Sequence, residues 1–281
     1  MAGGFRTCGP TGREFEHLSP ETAHRERGPF GAFDEPDFFP HSDDCDDHAM
    51  WHGYQVPRQS AWDAAAERLE QLRDRAALAL TRAVDSMTIR VMAANTARCE
   101  LQYWNTNNLT ENRRDGQIRI QRYWKVGVNR TVTRAEARDI HWSAAFIDFV
   151  MRRAGAGGSF RYAWKHVTYV HAAIRNLEQN TPNTFKAYKI DDPRSAPDIG
   201  DLVCNWRGTP RTYDDIAAMS RPYGYTHCDV VVGKSPGGRK IQLIGGNKTG
   251  GKVAQVEIDL GQNGLILDQP AGKYIAVMKH S

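Results

Sequence analysis

Helical spacing of apolar positions runs through the middle of this chain and gives way to period-two alternation in its last third. Over residues 60–84, Ala64, Leu69, Leu72, Ala76, Leu80 and Val84 form an apolar stripe. Glu67, Arg68, Arg73 and Asp74 cover the other face, and Ser60 is placed to cap the start. A second helix is expected over 87–103. Residues 105–116 read as a polar loop, and 118–127 as a short amphipathic segment that buries Ile120, Tyr123, Trp124 and Val126. Thr133-Arg-Ala-Glu136 matches a capping box and predicts a helical turn there. The densest apolar run follows, Ile-His-Trp-Ser-Ala-Ala-Phe-Ile-Asp-Phe-Val over 140–150, and it ends at Gly155-Ala156-Gly157-Gly158. Ile147, Val150, Met151 and Ala154 make one stripe, with Phe146 and Phe149 a second, so this helix belongs in the middle of a domain. Its N-terminus presents Ser143 where unpaired backbone N–H groups and the positive dipole end favour developing negative charge. A further helix over 160–177 carries His166, Tyr169 and His171, and 181–197, with Pro182, Pro193 and Pro197, reads as a loop.

Short β-branched runs then appear at 201–206, 226–233, 239–244, 253–259 and 273–279, separated by Gly, Pro or Asn. Helices first and strands afterwards predict an α+β fold, with N-terminal helices packed on a small antiparallel sheet or half-barrel. Three parts are expected: an irregular N-terminal arm over 1–57, a helical extension over 58–85 and an α+β domain over 86–281. The arm is rich in Gly, Pro, Asp and His and has no sustained period. Its cluster Asp43-Asp44-Cys45-Asp46-Asp47-His48, with His41 and His52 nearby, lacks the central Gly and final Glu of a calcium loop. It reads as solvated charge, and neither a metal nor any other cofactor is expected.

Composition narrows the partners. Hydrophobic residues at 40% and charged residues at 25% are ordinary for a globular protein, and a net charge of +4 falls short of a nucleic-acid-binding balance. The arginines of 113–125 read as a solvated helix face, so no nucleic-acid partner is expected. No run approaches the ~20 apolar residues of a membrane span, and the first residues lack the apolar core of a secretory signal. The five cysteines are odd in number and show no C-x-x-C spacing, which argues against a disulfide framework and a zinc ribbon and for synthesis in a reducing cytosol.

Candidate chemistry gathers at three places. Along Thr226-His-Cys-Asp-Val-Val-Val232, His227 and Asp229 share one strand face while Cys228, Val230 and Val232 share the other. A strand His beside a buried helix that begins at Ser143 outlines a nucleophile and its base. Asn247, after Gly245-Gly246, or Asp229 is then the third group that orients the imidazole. Taken singly, each residue has an ordinary reading: a helix cap for Ser143, a strand-end contact for His227, a turn for Asn247. Their order along the chain is what favours chemistry. Cys204 ranks second as a nucleophile, because a buried free Cys is usually a small hydrophobe.

The succession Trp-Ser-Ala-Ala-Phe, Gly200-Asp-Leu-Val, His227-Cys-Asp-Val-Val-Val and Gly245-Gly-Asn247 resembles the NlpC-type and CHAP papain-like cell-wall hydrolases. More closely, over about 86–280, the chain resembles an uncharacterised bacterial domain family allied to them. That pattern includes Arg-Ile-x-x-Tyr-Trp-x-Val-Gly at 119–127, the pair His166 and Tyr169, Gly-Asp-Leu-Val-Cys, His-Cys-Asp and Gly-Gly-Asn. The resemblance implies a papain-like fold and hydrolysis of peptidoglycan peptide or amide bonds, with Ser143 standing where those enzymes carry Cys. It implies His227 as base, Asn247 or Asp229 as its orienter, and Trp142, His166, Asp201, Cys204 and Arg207 as supporting or substrate-binding residues. Peptidoglycan would be the substrate, and an immunity protein a partner, if the protein is an antibacterial effector or lysis protein exported by a non-classical route to the periplasm or wall. The alternative is a non-catalytic module that binds wall or protein and keeps the fold.

Overall fold

The computed structural model describes residues 59–281 except Thr209 and 268–271. The expected arm over 1–57, with its acidic and histidine cluster, lies outside the described residues. Two compact units divide the chain, 1–71 and 72–281. One helix, α1, runs unbroken over Gln59–Thr106, where two were expected. Nothing between 84 and 87 stops it. There is no Gly or Pro, and Ser86, the residue best suited to restart a helix, instead donates its hydroxyl to the His280 carbonyl at 3.0 Å.

In the second unit, α2 (Arg114–Tyr123) continues into one π-helical turn, Trp124–Val128, and ends at Asn129 in the left-handed region. The short α3 (Arg134–Asp139) carries the expected capping box: the Thr133 hydroxyl accepts from the Glu136 amide at 3.2 Å, and the Glu136 carboxylate accepts from the Thr133 amide at 2.7 Å. Then come α4 (Ser143–Arg153) and α5 (His166–Glu178), and later the single turn and a half of α6 (Tyr213–Ala217). Helix α5 starts later than expected, because Phe160 leaves the helical path to pack its ring among Tyr162, Tyr169 and Phe185.

Among the described residues six strands form one sheet: β1 (Phe185–Lys189), β2 (Leu202–Arg207), β3 (Tyr225–Lys234), β4 (Lys240–Lys248), β5 (Lys252–Asp259) and β6 (Tyr274–His280). Their order is β1-β6-β2-β3-β4-β5, with every neighbouring pair antiparallel. The architecture is therefore α+β. Strand β1 falls where a loop was expected. Its five residues between Pro182 and Pro193 are too few to stand out, yet Phe185 and Ala187 bury themselves as β1 pairs with β6 at the sheet edge.

Alternation along the strands serves two cores. Leu202, Cys204, Cys228, Val230 and Val232 join the large core beneath α4 and α5, while Val203, Val231, Ile241, Leu243 and Val277 form a smaller one. Helix α4 packs on β3 and β4, and α5 on β1 and β3. The large core also takes the Trp104, Tyr123 and Trp142 rings, stacked 5.2 and 5.9 Å apart about Trp142.

The expectation of no disulfide is corrected here. Cys204 on β2 and Cys228 on β3 are register partners, and their sulfurs are bonded. Counting cysteines could not reveal this, because the pairing is set by strand register across a separation of 24 residues. A crosslink closing a loop of that size contributes about 3 kcal/mol, mainly by restricting the unfolded chain. We expect Cys204→Ala/Cys228→Ala to lose about that much unfolding free energy, seen as a lower guanidinium midpoint, with unchanged spectra. An unshifted midpoint would show that the bond adds nothing.

Candidate active site

Two helix starts meet at the floor of a cavity of about 490 Å³. Ser143 is the first residue of α4, after Trp142 at the cap position, and His166 is the first residue of α5. Trp142 makes no side-chain cap. It is held by its stacked neighbours and by an indole N–H donated to Glu111 at 3.0 Å. Both helices thus point their unpaired N–H groups, and the positive ends of their dipoles, toward the same place. Among the described residues the cavity wall includes Ile140, His141, Trp164, Lys165, Arg207 and Tyr225 and no carboxylate, so a ligand meets cations and rings on that wall.

The hydroxyl of Ser143 and Nε2 of His166 lie 2.7 Å apart, both side chains being buried. On its other side, Nδ1 of His166 meets the Tyr169 hydroxyl one helical turn along and the Cys228 backbone amide at 3.2 Å. The His227 ring stands 5.2 Å from the His166 ring, centre to centre. Its Nε2 lies 2.8 Å from Asp229 Oδ1, and Asp229 also pairs with Lys248 at 2.9 Å. Nδ1 of His227 is buried, with no hydrogen-bond partner among the described residues.

Electrostatics keep both imidazoles neutral. Burial pushes the His166 pKa well down, His227, Arg207 and Lys248 push the same way, and Asp229 only partly opposes them. Burial lowers His227 as well, despite Asp229. Asp229 is ionised: burial works against its charge, but His227 and Lys248 outweigh it and hold its carboxyl below the usual range. This has a consequence for acid stability. Folding favours neutral His166, so as pH falls through ~6.5, the ordinary histidine value, the unfolded chain takes up protons that the folded chain does not. Stability present above that pH is lost below it, down to the folded-state pKa. Relative to His166→Gln, the wild type should lose up to ~1.4 kcal/mol per pH unit below ~6.5. Urea unfolding of both proteins from pH 8 to 5 measures this, and parallel curves would exclude a buried neutral imidazole.

The residues singled out by sequence take distinct places. Ser143, His166 and Arg207 line the cavity, and His227 and Asp229 lie beside His166. Asn247 occupies a left-handed position in the β4 bulge (φ 52°) and makes no hydrogen bond to His227 among the described residues, so the contact to Nε2 comes from Asp229. Gly245 is needed beside that pair, because a Cβ there would stand 1.7 Å from Asp229 Oδ1. A Cβ on Gly246 would meet Phe146 at 2.6 Å and Trp142 at 2.7 Å, where β4 passes under α4. Asp201 lies elsewhere, clamping the start of β2 through Lys279 at 2.6 Å and Arg90 at 3.2 Å. Cys204 is held in the disulfide and has no thiol to offer.

Three participants were missed by sequence reasoning: His166 as the direct partner of Ser143, Lys248, and the Cys228 amide. The His166–Tyr169 spacing of three on a helix was the available signal. The other two depend on how β3 and β4 approach α5. Among the described residues, no three His, Cys, Asp or Glu side chains gather to hold a metal ion. Among the same described residues, no helix is long and apolar enough to cross a membrane.

An α+β domain with a buried Ser–His contact at paired helix starts is the class that fold and site define. The chain belongs to the family of uncharacterized proteins conserved in bacteria (DUF2272), which matches residues 106–277 and so spans the cavity and both histidines. No curated protein and no solved structure matches the chain.

Proposed function

We propose that the protein is a hydrolase of the NlpC/CHAP papain-like type, cleaving peptide or amide bonds of peptidoglycan by acyl transfer through Ser143. The observation that carries the reading is the 2.7 Å contact between Ser143 Oγ and His166 at the cavity floor, with a second imidazole and its carboxylate directly behind. In the proposed reaction Oγ attacks the carbonyl carbon while its proton passes to the histidine pair. The carbonyl electron pair moves to oxygen, facing the N–H groups at the start of α4. The C–N bond then breaks, the leaving nitrogen takes the proton from the imidazole, and water resolves the ester by the reverse sequence. Lys165 and Arg207 at the cavity suit an anionic wall polymer. The disulfide supports action outside the reducing cytosol, in the periplasm or wall, where an effector of this kind would meet an immunity protein.

Purified protein should release soluble fragments from peptidoglycan, and mass spectrometry of their new termini identifies the bond. Retention on wall material without any release would replace the hydrolase by a binding module.

A further inference from the structure

We propose that Trp164 and Tyr225 form a saccharide-binding platform on the cavity wall, so that the amide attacked is the one joining a wall sugar to its peptide. Among the described tryptophans, Trp104, Trp124, Trp142 and Trp206 are buried, whereas Trp164 is 52% exposed. Tyr225 is 69% exposed, although β3 buries the seven residues that follow it. Both rings line the cavity that holds Ser143. Aromatic surface left in water beside a cleft marks a place where a ligand settles.

Chain geometry keeps both rings near the Ser143–His166 contact. Trp164 stands two residues before His166, and Tyr225 two residues before His227. Lys165, between the first pair, is extended (φ −129°, ψ 128°), and the second pair lies on β3. Two extended residues span about 6.6 Å, close to the width of one sugar ring. The rings are also held in place: Lys165 Nζ lies 4.7 Å over the Trp164 ring, and the His141 ring packs edge-on against Tyr225 at 6.4 Å. A pyranose has a face of slightly positive C–H bonds that stacks on the negative face of an aromatic ring, and a rim of polar groups. For that rim the wall offers Lys165, Arg207 and Thr226, whose hydroxyl is buried with no hydrogen-bond partner among the described residues. With no carboxylate among the described lining residues, the two cations favour a sugar whose acyl substituent becomes a carboxylate when its amide is cut. Ser143 Oγ attacks the carbonyl of that substituent, the peptide leaves as a free amine, and water releases the sugar as its carboxylate. The choice of bond rests on the acyl-transfer reading above; the sugar site does not.

The test is calorimetric titration of the full chain with two probes: the peptide-free disaccharide N-acetylglucosaminyl-N-acetylmuramic acid, and the free stem peptide, which carries carboxylates but no sugar. We expect the disaccharide to bind about tenfold or more tighter than the peptide. It should also shift the Trp164 indole N–H signal in NMR, assigned by its absence in Trp164→Ala. Trp164→Ala and Tyr225→Ala should each weaken disaccharide binding about tenfold, the scale of one lost ring contact, and Trp164→Phe should restore part of it. Both side chains are exposed, so thermal midpoints should not move. Equal binding of the two probes, or disaccharide binding that neither Ala variant weakens, overturns the proposal. In the peptidoglycan assay the new terminus should be the amine of the first stem residue, and cleavage only between amino acids overturns the choice of bond. A wild type that cleaves nothing, yet binds the disaccharide through these rings, ends the hydrolase reading and leaves the sugar site standing. Fragment release by a protein that does not bind the disaccharide does the reverse.

Discussion

Ser143→Ala should abolish release of peptidoglycan fragments, by roughly 10³-fold or more, while leaving the thermal midpoint within a few degrees of wild type. The activity effect is large because the hydroxyl is the only nucleophile proposed, and a missing covalent route is not rescued by the remaining groups. The stability effect is small because Ser143 is not the cap of α4; Trp142 occupies that position. Ser143→Cys extends the test. A thiol at a helix N-terminus ionises more readily than a free one and is a stronger nucleophile, so this variant should cleave and become sensitive to iodoacetamide. Fragment release that survives Ser143→Ala would remove Ser143 from the chemistry, and Cys204 could not replace it while bonded to Cys228.

Arg119→Leu should cost about 3–5 kcal/mol of folding stability, the scale for leaving one member of a buried ion pair alone. Glu100 on α1 is the member left behind. Its carboxylate accepts from Arg119 Nε at 2.9 Å and from the Tyr123 hydroxyl at 2.5 Å, and that hydroxyl accepts from the Trp104 indole at 2.7 Å. Burial opposes the charge on Arg119, but the Glu100 hydrogen bond and charge raise its pKa overall. The same network backs the site, because Trp104 stacks on Trp142, which opens α4. Glu100→Leu/Arg119→Leu should therefore be less damaging than Arg119→Leu alone, since no bare carboxylate remains. Urea denaturation of the three proteins decides it; a double variant worse than the single one would show that the pair stabilises beyond satisfying its own charges.

Much of the fold was legible because it follows from local periodicity. The apolar run after Ser143 had to be a buried helix, and the capping box at Thr133–Glu136 fixed the turn before it. Short alternating strands had to pair, so the α+β class followed. What failed locally failed for a tertiary reason. Strand β1 is five residues long and exists because β6 accepts it, while α1 continues past Ser86 because the hydroxyl that would cap a new helix is taken by the His280 carbonyl.

The site divides in the same way. By itself the sequence determined where chemistry can reside: a serine at the start of a buried helix, and a histidine and an aspartate two apart on one strand face, hence within reach of each other. Only the tertiary structure decided which histidine touches Ser143, that Asp229 rather than Asn247 meets His227, and that Cys204 and Cys228 are joined. Periodicity sets which face a side chain occupies. A hydrogen bond needs two atoms within about 3 Å, and between residues tens of positions apart that distance is set by how helices and strands pack, which no local pattern encodes.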